Sequence, residues 1–327
     1  MIRYYARGTT IILMALWVRF AISYSELFNK YLNGQDLWEM GYEFAKTFGN
    51  HAPALNMHVS FVFLAHIHLF IKSLGRKNSW AALLNGGFAF LTLMLMLYIN
   101  TRMALINSVL FMVFIVCYES WRNRIFKKYL SILGLTILTF VLIFTLFDNT
   151  FPLIKDKLTK TAFWHLDKRG KLDEIEKPNE KVHGSLVTRL SIWDGAYDVA
   201  VQSLPFGTGA DDGRKTLVNY FRQKNQNYLA EYRFPVHNQY LDAFMKYGPL
   251  GLGVILLFLT YSLMLGFKLK NSLILAFAGI FITSNIFDDF LIRFDGIVFS
   301  GFWISIFASD YLKSLKNPTP SLRILKS

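Results

Sequence analysis

VHNQYLDAFMKYGPLGLGVILLFLTYSLMLGFK, residues 236–268, passes in one stretch from a polar segment with chemically useful side chains into an apolar run long enough to cross a bilayer. Tyr240, Leu241, Phe244 and Met245 fall at helical spacing and predict a short helix from about Asn238. Gly248 and Pro249 break it, and the run behind them opens a span. A histidine just before such a helix, with a span directly after it, is held at a membrane surface. The rest of the chain is read outward from this junction.

Apolar blocks of similar length recur on both sides. With 249–267 they number about eight: 9–25, 55–71, 80–99, 103–118 and 129–146 before it, 272–287 and 296–312 after it. Of 327 residues, 53% are hydrophobic and 17% aromatic. The predicted class is all-α: a polytopic helical membrane protein. A five-span N-terminal bundle covers 1–147, a large loop with short amphipathic helices covers 148–247, and a three-span C-terminal bundle covers 248–327.

A net charge of +13 would suggest nucleic acid in a soluble protein. Here the basic residues collect in connections on one side of the bundle: Lys72, Arg76 and Lys77, then Arg122, Arg124, Lys127 and Lys128, then Lys268 and Lys270, with more at both ends. The short connections on the other side hold only Lys30, Lys46, Arg102 and Arg293. The positive-inside bias therefore puts both termini in the cytoplasm and the large loop outside, with membrane lipids as the expected partner and no nucleic acid. It also gathers Arg102, Arg189, His237 and Arg293 on one face. Cys117, the sole cysteine, lies inside an apolar block, which excludes an intrachain disulfide. The first block lacks the small-residue cleavage site of a signal peptide and is expected to remain as a span.

Within the loop, SLVTRLSIWDGAYDVAVQSLPFGTG, residues 185–209, predicts a helix with Leu190, Trp193, Ala196, Tyr197, Ala200 and Leu204 on its apolar side. It starts after a Ser/Thr cap, stops at Pro205, Gly207 and Gly209, and is expected to lie near the membrane surface. The preceding 155–182, rich in Lys, Asp and Glu, reads as a mobile solvated surface.

Few side chains here suit chemistry. His237 is the candidate general base, against the ordinary alternative of a histidine that caps its own helix. Arg189 sits in the first turn of its helix, where a cation is electrostatically disfavoured, so it is not there to stabilise the helix; its guanidinium fork suits a phosphate. Arg102, in INTRMAL at 99–105, is by itself explained as an arginine snorkelling to headgroups. Sharing a face with Arg189 and His237 turns that preference toward an anion site. His66 and His68 are two apart on a helix and face different ways. Asp211 with Asp212, and Asp288 with Asp289, lack flanking ligands at a recognisable spacing, and no HExxH is present, so no metal is expected.

INTRMAL after a span, then residues 185–209, then VHNQYLDAFMKYGPLGLG leading into a span, resemble in that order the O-antigen ligase and polymerase superfamily of bacterial envelope glycosyltransferases. FDDFLIRFDGIVFSGFW, 287–303, looks like that family's closing helices. Members usually carry several more spans ahead of the INTRMAL equivalent. The resemblance implies an inner-membrane enzyme with a periplasmic site that needs no cofactor or metal. It would transfer a glycan, with inversion, from undecaprenyl diphosphate to a sugar hydroxyl of the lipid A core. Carried onto this chain, His237 activates the acceptor and Arg102 and Arg189 neutralise the diphosphate, with Arg293 at a matching cation; Asn238 and Trp193 are further candidates for substrate contact.

Other functions remain open at this point. A polymerase of the same superfamily would use a second lipid-linked repeat as acceptor, and the motifs do not separate the two. A transporter of lipid-linked sugars would line several spans with polar residues. A non-catalytic assembly protein would be indifferent to loss of His237.

Overall fold

The computed structural model describes residues 1–33, 35, 39–122, 134 and 164–316. The span expected over 129–146, apart from residue 134, lies outside them, as does the loop up to 163. Among the described residues the regular structure is helical: α1 Ile2–Ser23, α2 Ser25–Leu32, α3 Met40–Lys46, α4 Ala52–Gly75, α5 Ser79–Ile99, α6 Arg102–Arg122, α7 Pro178–Val182, α8 Leu186–Gln202, α9 Gly213–Gln223, α10 Asn227–Tyr232, α11 Gln239–Lys268, α12 Ser272–Phe287 and α13 Phe294–Lys316, with short 3-10 turns between some of them.

Among the described residues, α1, α4, α5, α6 and α11 are long and apolar enough to cross a membrane. The chain is thus a polytopic all-α membrane protein. Helix α12 is apolar but has only 16 residues, and α13 has 23 but is not among the five. Polar residues such as Asp295, Asp310 and Lys313 dilute its run.

The chain forms two compact units. One comprises Met1–Lys155, Leu263–Ile280 and Ile306–Ser327; the other comprises Asp156–Ser262 and Phe281–Ser305.

In the first unit α4 is the central helix. It is mostly apolar and largely buried, whereas α1 is largely exposed. Phe61 meets Phe277 edge-on at 5.3 Å, and Phe277 meets Phe307 at 5.4 Å. Polar contacts fix the α5–α6 hairpin to α4, Asn56 foremost. Asn56 is fully buried, and its Nδ2 donates to Thr101 Oγ1 at 2.8 Å and to the Met96 carbonyl at 3.3 Å. Asn100 ends α5 in the left-handed conformation, φ 53°, and Arg102 is the first residue of α6.

The second unit is built on α8. Its core joins Val187, Ile192, Ala196, Val199 and Ala200 of that helix to Leu217 and Phe221 of α9, Tyr228 and Leu229 of α10, and Met245 of α11. Small residues rather than the large apolar ones set the face that packs. Gly195 and Ala196 face inward while Tyr197 and Leu204 are exposed. Small residues let a helix approach its neighbour closely: a Cβ at Gly195 would run into the Phe221 ring. The described part of the stretch expected to be mobile is folded onto this core as well. Leu172, Ile175 and Val182 are buried, Arg169 pairs with Asp194, Gly170 N–H donates to Ser191 Oγ at 2.8 Å, and Asp173 accepts from Tyr228 N–H at 2.9 Å.

Candidate functional site

Helix α11 contains the break that the sequence places at Gly248, where φ 65° and ψ −159° interrupt the helix before Pro249. Its first turn is capped by Asn238, whose Oδ1 accepts from Leu241 N–H at 3.0 Å. His237 stands just before the cap with φ 53°, a left-handed conformation uncommon for a residue with a side chain. Two contacts hold this strained turn. Trp193 of α8 donates from Nε1 to the Val236 carbonyl at 3.0 Å, and Tyr240 donates to the Ile282 carbonyl at 2.9 Å.

The turn faces the segment after α12. His237 Nδ1 is 3.7 Å from Asp288 Oδ1. Arg293 Nη2 lies 3.8 Å from the same oxygen and 3.5 Å from Asp289 Oδ1. Arg189 donates to the carbonyl of Phe287, the residue before Asp288, and the Trp193 and Phe287 rings are 5.9 Å apart. Gln239 Oε1 accepts from Leu291 N–H at 3.0 Å, so α11 and this segment are tied by backbone as well as side chains. The structure therefore brings His237, Arg189, Arg293, Trp193 and Asn238 together. Arg102 belongs to the other unit, where it opens α6.

The two carboxyls differ. Burial would raise Asp288, but the His237 ring, the Asp289 side chain and backbone N–H and the Arg293 charge together hold it below the usual carboxylate range. Burial pushes Asp289 up to about 6, helped by its contact with Asp288 and that residue's charge and opposed by Arg293 and His237. The pair thus offers one ionised carboxylate beside the imidazole and one group able to carry a proton near neutrality. Ligand atoms of His237, Asp288 and Asp289 lie within 4.8 Å of one another, a spacing a metal ion could use. The Arg293 guanidinium already faces both carboxylates, so a positive charge is supplied there by the chain itself.

His183, to which the sequence assigned no role, lies against this region. Its ring centroid is 5.2 Å from that of Phe234, and its Nδ1 is 3.4 Å from the Tyr228 hydroxyl. Burial, and then the charge of His237, push its imidazole below the ordinary value. The sequence also undervalued Asp288 and Asp289, which were weighed only as metal ligands. Their signal was Arg293, four and five residues on, which lets carboxylates and guanidinium meet across one tight turn.

With a base beside an ionised carboxylate and two guanidiniums around it, the arrangement suits proton removal next to a developing or resident negative charge. Comparison with known families supports the resemblance to the superfamily. The family described as O-antigen ligase matches residues 87–258, just over half of the chain. No curated protein and no solved structure gives a match.

Proposed function

Because the chain belongs to the O-antigen ligase family, we propose that it transfers a glycan from undecaprenyl diphosphate to a sugar hydroxyl of the lipid A core, on the periplasmic side of the bacterial inner membrane, with both termini in the cytoplasm. His237 removes the proton from the acceptor hydroxyl. That oxygen attacks the anomeric carbon from the face opposite the diphosphate, a new glycosidic bond forms with inversion, and the bond to the diphosphate oxygen breaks. Undecaprenyl diphosphate leaves with the electron pair, while His237 holds the proton until solvent accepts it.

Asp288 supports this step by facing the imidazolium as it forms and keeping the ring in one orientation. Arg189 and Arg293 neutralise the leaving diphosphate, whose charge grows as the bond breaks. Asn238 and Trp193 hold the turn that presents His237 and border the acceptor. The reaction takes its proton acceptor and its charge stabilisation from the protein and needs no metal in this scheme.

The observation that carries this reading is the position of His237 Nδ1, 3.7 Å from Asp288 Oδ1 with Arg293 on the same carboxylate. A base backed by an ionised acid suits hydroxyl activation, and hydrogen bonds of this kind are often long before substrate binds. The test is transfer by purified protein from undecaprenyl-diphosphate-linked glycan, with lipid A core in one reaction and only more lipid-linked glycan in another. His237→Ala accompanies each, with its fold checked by thermal unfolding. Product on the core, lost by about 10²-fold or more in the variant, is the expected result. Chain growth without core identifies a polymerase, and product insensitive to His237 removes it as the base.

A further inference from the structure

Helix α8 leaves a row of large apolar side chains outside the core of its own unit. Tyr197 is 57% exposed and Val201 44%, one turn apart on the helix, and Leu204, two residues past its end, is 47% exposed. Phe206, just beyond the helix, is 80% exposed. The opposite flank is the one that packs, and Asp194 and Asp198 on the side between them are engaged by Arg169 and Tyr220. The row of Tyr197, Val201, Leu204 and Phe206 itself contains no charged residue.

The loop bearing Phe206 is fastened to the break in α11. Thr208 N–H donates to the Met245 carbonyl and Gly209 N–H to the Lys246 carbonyl, both at 2.9 Å. Gly207 and Gly248 make this approach possible, since a Cβ on Gly248 would collide with the Pro205 carbonyl and one on Gly207 with the backbone of Lys246. Immediately beyond the break, Leu250 is 77% exposed, Val254 64% and Leu257 71%, at i, i+4 and i+7. They lie on a helix long and apolar enough to cross the membrane, so this face meets acyl chains.

We propose that the ridge Tyr197–Val201–Leu204–Phe206 is a membrane-seating element, embedded at the boundary between headgroups and acyl chains beside α11. The occupant follows from continuity: the backbone of Pro205 touches Gly248, and Leu250, two residues on, is already on the lipid face. Contiguous exposed apolar surface of this kind on a helix with an opposed buried face is the pattern of an interfacial helix. Because α8 also carries Arg189 and Trp193, the ridge sets the height of the His237 turn above the acyl chains. No lysine or arginine lies between Leu190 and Gly213, so seating depends on apolar insertion rather than on anionic lipid.

The test reads position rather than turnover, and so stands apart from the proposed reaction. In a Cys117→Ser background, full-length Phe206→Cys, Leu250→Cys and Arg222→Cys are labelled with an environment-sensitive fluorophore and reconstituted into phosphatidylethanolamine–phosphatidylglycerol vesicles. Tyr197→Cys serves as a second ridge position where Phe206→Cys fails to give monodisperse protein. The expected result is that the ridge label behaves like that at Leu250: quenched by lipids carrying a nitroxide near the headgroup, at least threefold less accessible to aqueous iodide than the label at Arg222, and unchanged when phosphatidylglycerol is replaced by phosphatidylcholine. A ridge label as open to iodide as that at Arg222 overturns the proposal. So does one shielded from both quenchers, which would mean that protein covers the ridge, or loss of lipid quenching at Leu250 itself.

Discussion

His237 Nδ1 and Asp288 Oδ1 face one another across 3.7 Å, joining a turn of α11 to the segment after α12 although the two residues are 51 positions apart in the sequence. Arg293 approaches the same oxygen from its own side at 3.8 Å. If that carboxylate orients and balances the imidazole, Asp288→Asn keeps the shape and removes the charge. Turnover in the transfer assay should fall by about 10²-fold, within the range of general-base contributions, with little change in KM for the lipid-linked donor. Equal losses in kcat and donor affinity would place Asp288 in donor binding instead.

Asp289 gives the site a pH signature. Its carboxyl is pushed up to about 6 from an ordinary 3.8, so the stability it contributes is fully present below pH 3.8 and is lost as pH rises through about 6. Asp288 shifts the other way, and its contribution is present above 3.8 and lost only as pH falls below that value. The windows are separate. Between pH 4 and 7, Asp289→Asn should therefore gain on the wild type by about 2 kcal/mol in thermal or denaturant unfolding, and a pH-independent offset between the two proteins would contradict the assignment.

Trp193 is attached to the site by its indole N–H, which reaches the Val236 carbonyl at 3.0 Å. Trp193→Phe keeps a ring near Phe287 but loses the bond, at a cost of about 1 kcal/mol of stability. A positioning role predicts a lower kcat with KM for the acceptor nearly unchanged. Direct stacking on the acceptor sugar predicts the reverse, a rise in KM.

Gly195 lets α8 lie against Phe221, which is 1% exposed and has no room to turn away. Gly195→Val should destabilise the second unit by about 1–3 kcal/mol through overpacking, more than the few tenths of a kcal/mol that the residue gains in helix propensity. Limited proteolysis between 164 and 235 should accelerate while the membrane helices remain intact. A variant as resistant as wild type would mean that the α8–α9 contact is looser than the geometry indicates.

Periodicity carried most of the fold. The short helix before Gly248, the break there, the hairpin presenting Arg102 and the helix from residue 186 are where spacing puts them, because each depends on local signals: caps, glycines, proline and runs of apolar residues. At α8 periodicity placed six residues on one apolar side without separating those that pack from those that do not: Ala196 and Ala200 are buried, Tyr197 and Leu204 are exposed. In a helix packed through Gly195, Ala196 and Val199, tight approach favours small residues, and Tyr197 and Leu204 are left outside. Composition misled over the described part of the charged stretch 155–182. Leu172, Ile175 and Val182 bury themselves there, while Arg169 and Asp173 find partners on helices that only the fold brings near.

By itself the sequence determined that this is a many-helix membrane protein and where its helices break, and it nominated His237, Arg189 and Arg102, with Arg293, as the side chains to watch. Those properties follow from the length and period of apolar runs and from residue chemistry. Tertiary structure alone decided that Asp288 faces His237 while Asp289 takes up a proton more readily, because a carboxyl's character depends on burial and on which charges stand within a few ångströms, and both are set by packing between segments remote in the chain.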